Sequence, residues 1–256
     1  MSEFEELIEI MRRLRASEGC PWDLKQNHKT LIPYLLEETY EVIDSIEDND
    51  MDKLSEELGD LLLQIVFHSQ IASEAGDFDI TDVIASINAK LIHRHPHIFK
   101  NKKKLTPDQV TQNWEQLKLA EKNNSGKSAL SGVPKTAPAL LKAFRLQQKA
   151  ARFGFDWDKV EDIFEKTKEE MAELKAAVES RAEDKIEEEI GDLLFSVVNI
   201  ARFLNIDPEG ALNRMNRKFI RRFQYVEKKL AENGKKLSDS DLEEMDSFWN
   251  ESKQSE

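Results

Sequence analysis

Glu56-Glu57-Leu58-Gly59-Asp60-Leu61-Leu62 recurs as Glu188-Glu189-Ile190-Gly191-Asp192-Leu193-Leu194. The two segments lie at an offset of 132 (56 to 188). The same offset carries Leu36-Glu37-Glu38-Thr39-Tyr40-Glu41 onto Lys168-Glu169-Glu170-Met171-Ala172-Glu173, acid on acid, with no gap between the two motifs. Lys53 and Lys185 also fall in register. Further out the offset drifts. Asn88-x-Lys90-x-Ile92-x-Arg94 matches Asn216-x-Lys218-x-Ile220-x-Arg222 at 128, and Trp22-Asp23 matches Trp157-Asp158 at 135. Trp114 and Trp249 occupy comparable late positions. One acidic motif on a charged helix is an ordinary solvated face. Two ungapped copies, each followed by a second matching motif, mark an internal duplication.

The repeated unit is helical. Phe4, Leu7, Ile8, Met11 and Leu14 recur at the 3.6-residue period. After a break at Gly19-Cys20-Pro21-Trp22, Pro33 opens a helix through Tyr40 and Ile46. Met51 to Ser73 reads as one helix ended by Gly76, and Thr81 to His95 as another stopped by Pro96. The part after Asp60 is apolar almost all round, which predicts a central helix buried on most sides. The second half reads as helices over 139–151, 159–180, 183–204 and 208–233, with a short last one from Leu242 to Trp249. The expected fold is all-α: two tandem copies of a small helical-bundle domain. Their expected spans are 1–120 and 139–256, joined by a Gly-, Ser-, Asn- and Pro-rich linker over 121–138.

Composition narrows the function classes. In 256 residues there are 37 Lys+Arg against 50 Asp+Glu, a net charge of −13. That surplus argues against nonspecific binding to nucleic acid or anionic membrane. Lys102-Lys103-Lys104 is a loop triplet in an acidic chain and reads as solvent-facing. Cys20 is the single cysteine, so an intrachain disulfide and a cysteine-based metal site are excluded. No apolar run approaches the ~20 residues of a membrane span, and Met1-Ser2-Glu3-Phe4-Glu5-Glu6 is unlike a signal peptide. The expected compartment is the cytoplasm.

The acids carry the chemistry. Glu170 and Glu173 share one helix face, a turn apart, and Glu189 and Asp192 repeat that spacing on the next helix. Two antiparallel helices would bring four carboxylates together. Such a set repels itself and is costly to desolvate unless a cation joins it. Four oxygen ligands without sulfur or imidazole select a hard ion, Mg²⁺ or Mn²⁺. Gly191 weakens its helix, which predicts close approach of a neighbouring helix. Lys218 and Arg222, four apart, can hold phosphate oxygens. Asn199, two turns beyond Asp192, either bonds substrate or is a satisfied core amide. Trp249 either stacks on a base or packs the last helix onto the core.

Three decoys fall away. Gly126-Lys127-Ser128 lacks the glycine of a phosphate-binding loop at position 121, which is Glu121, and lacks a preceding strand. His93, His95 and His97 read as a basic helix end. No Glu-x-x-His exists, which disfavours a di-iron carboxylate bundle.

Glu-Glu-x-x-Glu followed by Glu-x-x-Asp resembles the signature of the all-α nucleoside triphosphate pyrophosphohydrolases. The duplicated form, with Gly19-Cys20-Pro21-Trp22-Asp23, Arg94-His95-Pro96-His97 and Gly154-Phe155-Asp156-Trp157, is similar to the bacterial MazG family from Cys20 to Trp249. The resemblance implies Mg²⁺-dependent hydrolysis of ribo- and deoxyribonucleoside triphosphates to monophosphate and pyrophosphate. It also implies a homodimer formed through helices and a role in cleaning the nucleotide pool. Carried over residue by residue, it makes Glu170, Glu173, Glu189 and Asp192 metal ligands. Glu169 becomes a second ligand or water-orienting base, Lys185, Lys218 and Arg222 phosphate contacts, and Trp249 a base contact.

The halves differ. Phe67 stands where the second half has Asn199, and Pro96 cuts short the basic helix after Arg94. The C-terminal half is therefore the expected catalytic one. The first half keeps Glu38, Glu41, Glu57, Asp60, Lys90 and Arg94 as a second candidate set for metal and nucleotide. The competing expectations are a narrower dUTP/dCTP or phosphoribosyl-ATP pyrophosphohydrolase and a non-catalytic helical interaction module.

Overall fold

The computed structural model describes residues 2–100, 103–107, 109–110, 113 and 128–254. Lys102, Trp114 and linker positions 121–127 lie outside the described residues. Every α or 3₁₀ element among the described residues is a helix, with no strand. The chain divides into two compact units, Met1–Glu121 and Lys122–Glu256. No helix among the described residues is long and apolar enough to cross a membrane.

Unit one contains α1 (Glu3–Leu14), α2 (Pro21–Lys25), α3 (Ile32–Glu47), α4 (Met51–Ala75), α5 (Ile80–Arg94) and α6 (Pro96–Phe99). Ser2 and Glu5 close a capping box on α1, as Asp79 and Asp82 do on α5. Gly76 ends α4 at φ 77°, a left-handed cap that costs a residue without Cβ nothing. Gly19 is needed for a different reason: a Cβ there would sit 2.2 Å from the Leu14 carbonyl oxygen. That close approach folds α2 back beside the end of α1. The core is Met11, Leu31, Val66 and Phe67, with Phe4, Leu7 and Ile8 of the α1 stripe packed against it.

Helix α4 packs against α1, α3 and α5 and is central, as its apolar character requires. It is not buried on most sides, however. Leu58, Leu62 and Ile65, at helical spacing, stay exposed. Its neighbours within the chain cover one side of a helix, and the remaining stripe keeps its water contact. Pro96 ends α5 as expected, but the chain re-enters a single helical turn, α6, with Pro96 in its first turn.

Unit two contains α7 (Ala139–Ala151), α8 (Val160–Ser180), α9 (Glu183–Phe203), α10 (Pro208–Glu232), a 3₁₀ turn (Leu237–Asp239) and α11 (Leu242–Gln254). Asp207 caps α10 by accepting from the Glu209 and Gly210 amides, with Pro208 at the first helical position. Helices α8 and α9 pack closely, and α7 lies against α9 and α10. Ile163, Ala177, Val198, Val226 and Leu230 are its buried apolar residues.

Candidate functional site

Helices α8 and α9 are joined by a short turn at Arg181, in the left-handed region at φ 54°. The turn sets the helices antiparallel and brings their acidic motifs level. Glu170, Glu173 and Glu189 converge so that one carboxylate oxygen from each lies within 4.8 Å of the others. In unit one, α3 and α4 do the same with Glu38, Glu41 and Glu57. The repeat seen in sequence is thus a repeat in space. The fourth acid of each set stands just outside the trio. Asp192 lines the cavity that Glu170 also lines, and the charge of Asp60 acts on Glu38.

Electrostatics show the strain of the arrangement. Burial and the neighbouring charges of Asp60, Glu41 and Glu57 push the Glu38 carboxyl above its ordinary value. Desolvation and the carboxylates of Glu189 and Glu170 push Glu173 up, against the opposing charge of Lys166. These acids are spaced as a cation's ligands are, and their mutual repulsion is what a bound cation removes. The donor set, oxygen alone, fits Mg²⁺ or Mn²⁺.

The two trios bury different members. In unit one Glu57 is 6 % exposed, with Lys53 Nζ 3.7 Å from its Oε1. In unit two Glu170 is 6 % exposed, and Lys166 Nζ reaches its Oε1 at 2.8 Å and Glu169 Oε1 at 2.9 Å. Lys166 has Tyr34 at the corresponding position of the first half. Sequence reasoning missed Lys166; the signal was an (i, i+4) lysine one turn before the acidic motif. Lys185 is exposed on α9, one turn before Glu189.

A cavity of about 430 Å³ opens beside the second trio. Lys166, Glu170, Asp192 and Asn199 give it a polar wall, and Leu146, Ile163, Phe155, Trp157 and Phe195 an apolar one. Asn199 is neither solvent-facing nor a mute core amide. It lines the cavity, and its Oδ1 accepts from Arg202 Nε at 2.8 Å. At the aligned positions of unit one three aromatic rings meet. Trp22 lies edge-on to Tyr34 at 5.7 Å and tilted to Phe67 at 6.5 Å. These three residues align with Trp157, Lys166 and Asn199.

The remaining candidates lie elsewhere. Lys218, Arg222 and Trp249 do not line the cavity. Trp249 packs against Phe219 at 5.2 Å, with the Arg222 guanidinium 5.8 Å from its ring centroid, joining α11 to α10. In unit one, Lys90 is exposed on α5 and Arg94 half-buried at its end. Gly191 does not admit a neighbouring helix within the chain. A Cβ at Gly191, or at Gly59, would meet nothing within 4 Å. Close approach among the described residues therefore does not account for either glycine, because no described element of the same unit crosses there.

Comparison with known proteins agrees with the geometry. The MazG nucleotide pyrophosphohydrolase domain matches twice, over residues 26–99 and 158–227. Each match contains one carboxylate trio. A Thermotoga maritima protein named nucleoside triphosphate pyrophosphohydrolase/pyrophosphatase MazG is 47% identical over 98% of this chain and 95% of its own length. An Escherichia coli K12 protein named nucleoside triphosphate pyrophosphohydrolase is 44% identical over 100% of this chain and 99% of its own length. The Bacillus subtilis protein YabN is 50% identical over 99% of this chain, which spans 52% of that longer protein. With two copies of the domain and full-length similarity to named members, the chain belongs to the MazG family of nucleotide pyrophosphohydrolases and is an enzyme.

Proposed function

We propose that the chain hydrolyses ribo- and deoxyribonucleoside triphosphates to the monophosphate and pyrophosphate, with Mg²⁺ as cofactor and Mn²⁺ as a substitute. The observation that carries this reading is the carboxylate trio of Glu170, Glu173 and Glu189 at the edge of a cavity large enough for a nucleoside. Glu170, Glu173, Glu189 and Asp192 are the residues that would hold the metal. Bound there, the ion supplies positive charge to the phosphates and lowers the pKa of a water nucleophile.

The chain's own residues do the rest. Glu169, held by Lys166, orients the attacking water and takes its proton. Lys166, beside the cavity, offers its ammonium to the phosphates. Lys185, Lys218 and Arg222, outside the cavity lining, are the further phosphate contacts of this reading. The apolar wall excludes bulk water from the nucleoside and strengthens each of these charge interactions. The names of the Thermotoga and Escherichia relatives support the choice of substrate.

The C-terminal half is the main catalytic site in this reading, with residues 1–120 a supporting copy and 121–138 the linker. Its support is that Trp22, Tyr34 and Phe67 pack together in unit one at the positions where unit two has Trp157, Lys166 and Asn199 on a cavity wall. The enzyme acts as a homodimer. Exposed apolar stripes on paired helices favour this, as in Leu58, Leu62 and Ile65 of α4 and Ile190, Leu194 and Val197 of α9. Cleaning of the cytoplasmic nucleotide pool is the proposed role.

The test is a panel of ribo- and deoxyribonucleoside triphosphates incubated with and without Mg²⁺, with products separated by chromatography. Monophosphate and pyrophosphate are expected only with metal, at a rate lost in Glu173→Ala and largely kept in Glu41→Ala. Equal loss in both variants would refute the asymmetry. Diphosphate plus phosphate would refute the bond assignment. Strict preference for one base would replace the broad specificity with a narrower one.

A further inference from the structure

A polar contact joins α8 to α9 one turn from the second trio. Thr167 on α8 and Ser196 on α9 meet hydroxyl to hydroxyl at 2.6 Å. Thr167 Oγ1 gives its single proton to the Ile163 carbonyl oxygen at 2.8 Å, so Ser196 is the donor between the helices. Ser196 is 8 % exposed, which makes the link a buried one.

The register that this pair marks is the register of the acids. Along α8, Glu170 and Glu173 follow Thr167 by one turn and by two. Along antiparallel α9, Asp192 and Glu189 precede Ser196 by one turn and by two. The acids on both helices therefore step away from the hydroxyl pair in the same direction. A slide of one turn would set Thr167 level with Asp192 or with Ile200 and part Glu173 from Glu189. Apolar contact between helices tolerates such slides. A single buried polar pair penalises them, because each hydroxyl loses its partner.

The first half is built differently at these positions. Leu35 and Gln64 stand where the second half has Thr167 and Ser196, and Gln64 Oε1 is buried without a hydrogen-bond partner. There the buried acid is Glu57 of α4, and Glu38 of α3 is half-buried. In the second half the buried acid is Glu170, one turn from Thr167.

We propose that Thr167 and Ser196 are positioning residues, whose hydrogen bond locks the register of α8 against α9 and so holds Glu170 and Glu173 against Glu189 at the spacing of a divalent ion's ligands. The inference rests on the proposed metal-assisted reading and adds what sets its geometry. Both residues act through the carboxylates and move no proton. Ser196 lines the cavity and Thr167 does not, so a change at Thr167 leaves the cavity wall in place.

The experiment measures Mn²⁺ binding by electron paramagnetic resonance, without nucleotide, in the full chain carrying Glu57→Ala so that the second trio is read. Adding Thr167→Val keeps the side chain's shape and removes its hydroxyl. It is expected to raise the Mn²⁺ Kd about tenfold and, in the otherwise wild-type chain, to lower kcat by about the same factor with little change in nucleotide KM. Thr167→Ser, which keeps the hydroxyl, is expected to bind Mn²⁺ as the parent does. An unchanged Kd in Thr167→Val would overturn the inference whatever happens to Tm, because a merely structural bond lowers Tm and leaves ion binding alone. Equal weakening in Thr167→Ser would overturn it too. If Thr167→Val does not fold, judged by its circular dichroism melt, Ser196→Ala takes its place and an unchanged Kd again overturns the inference. Failure of the Glu57→Ala parent to bind Mn²⁺ would overturn the metal reading itself, and this inference with it.

Discussion

Asp156 and Arg202, far apart in the chain, form an ion pair that ties the segment before α8 to the last turn of α9. The same guanidinium donates to Asn199 Oδ1 at 2.8 Å, and the same carboxylate accepts the Trp157 amide at 2.8 Å. One pair thus orients a polar cavity residue and anchors the chain that bears the aromatic one. Asp156→Ala is expected to lower stability by about 1–3 kcal/mol, as for other charged hydrogen bonds lost from a half-buried site. The KM for nucleoside triphosphate should rise several-fold while Mg²⁺ binding is kept. Urea unfolding and steady-state kinetics check both. An unchanged KM would mean that Asn199 holds its orientation without Arg202.

Metal ions should stabilise the protein through the carboxylate trios. An ion present at about 100 times its Kd adds about 2.7 kcal/mol to the folded state. A rise in Tm with Mg²⁺ is expected, reduced by Glu170→Ala and abolished when Glu57→Ala is added. A rise that survives both substitutions would place the ion elsewhere.

Gly191 lies between Glu189 and Asp192, and open space surrounds it in the single chain. Gly191→Ala should therefore stabilise α9 by about 1 kcal/mol, the ordinary gain from removing a mid-helix glycine. If substrate or a second copy comes close at that face, turnover falls as stability rises. Thermal melts and turnover measured side by side read the two effects. Unchanged turnover would show that the face stays open in the working enzyme.

The Arg15 guanidinium donates to both Glu74 oxygens and, helped by Gln70, holds that carboxyl below its ordinary value. A carboxylate whose folded pKa is depressed contributes stability above its unfolded pKa and loses it as pH falls through the folded one. Glu74→Gln should thus destabilise unit one at neutral pH. The difference from wild type should shrink from about pH 4 downward and vanish once Glu74 is protonated in both states. Denaturant melts at several pH values test the sign; a gap that widens on acidification would refute it.

Helical spacing made the elements legible from sequence, because a helix's apolar stripe and its ends are written locally in residues such as Leu7, Met11, Gly76 and Pro96. The repeat made the acids legible too, since a turn of helix places Glu170 beside Glu173 whatever surrounds them. Gln147, which lines the cavity and donates to the Phe195 carbonyl, was not legible, because that partner lies 48 residues away and Gln147 belongs to no repeated motif. Lys166 carried a local signal, its (i, i+4) spacing to Glu170, but its place on the cavity wall was not written in it.

The sequence by itself determined an all-helical, duplicated chain with two acidic pairs per copy, because those properties depend on spacings of three and four residues along one helix. Only the tertiary structure decided which acid of each trio is buried, that Trp22, Tyr34 and Phe67 pack together while their counterparts line a cavity, and that Trp249 packs with α10. Those outcomes depend on how side chains from separate helices share volume and charge. A single helix cannot specify that sharing.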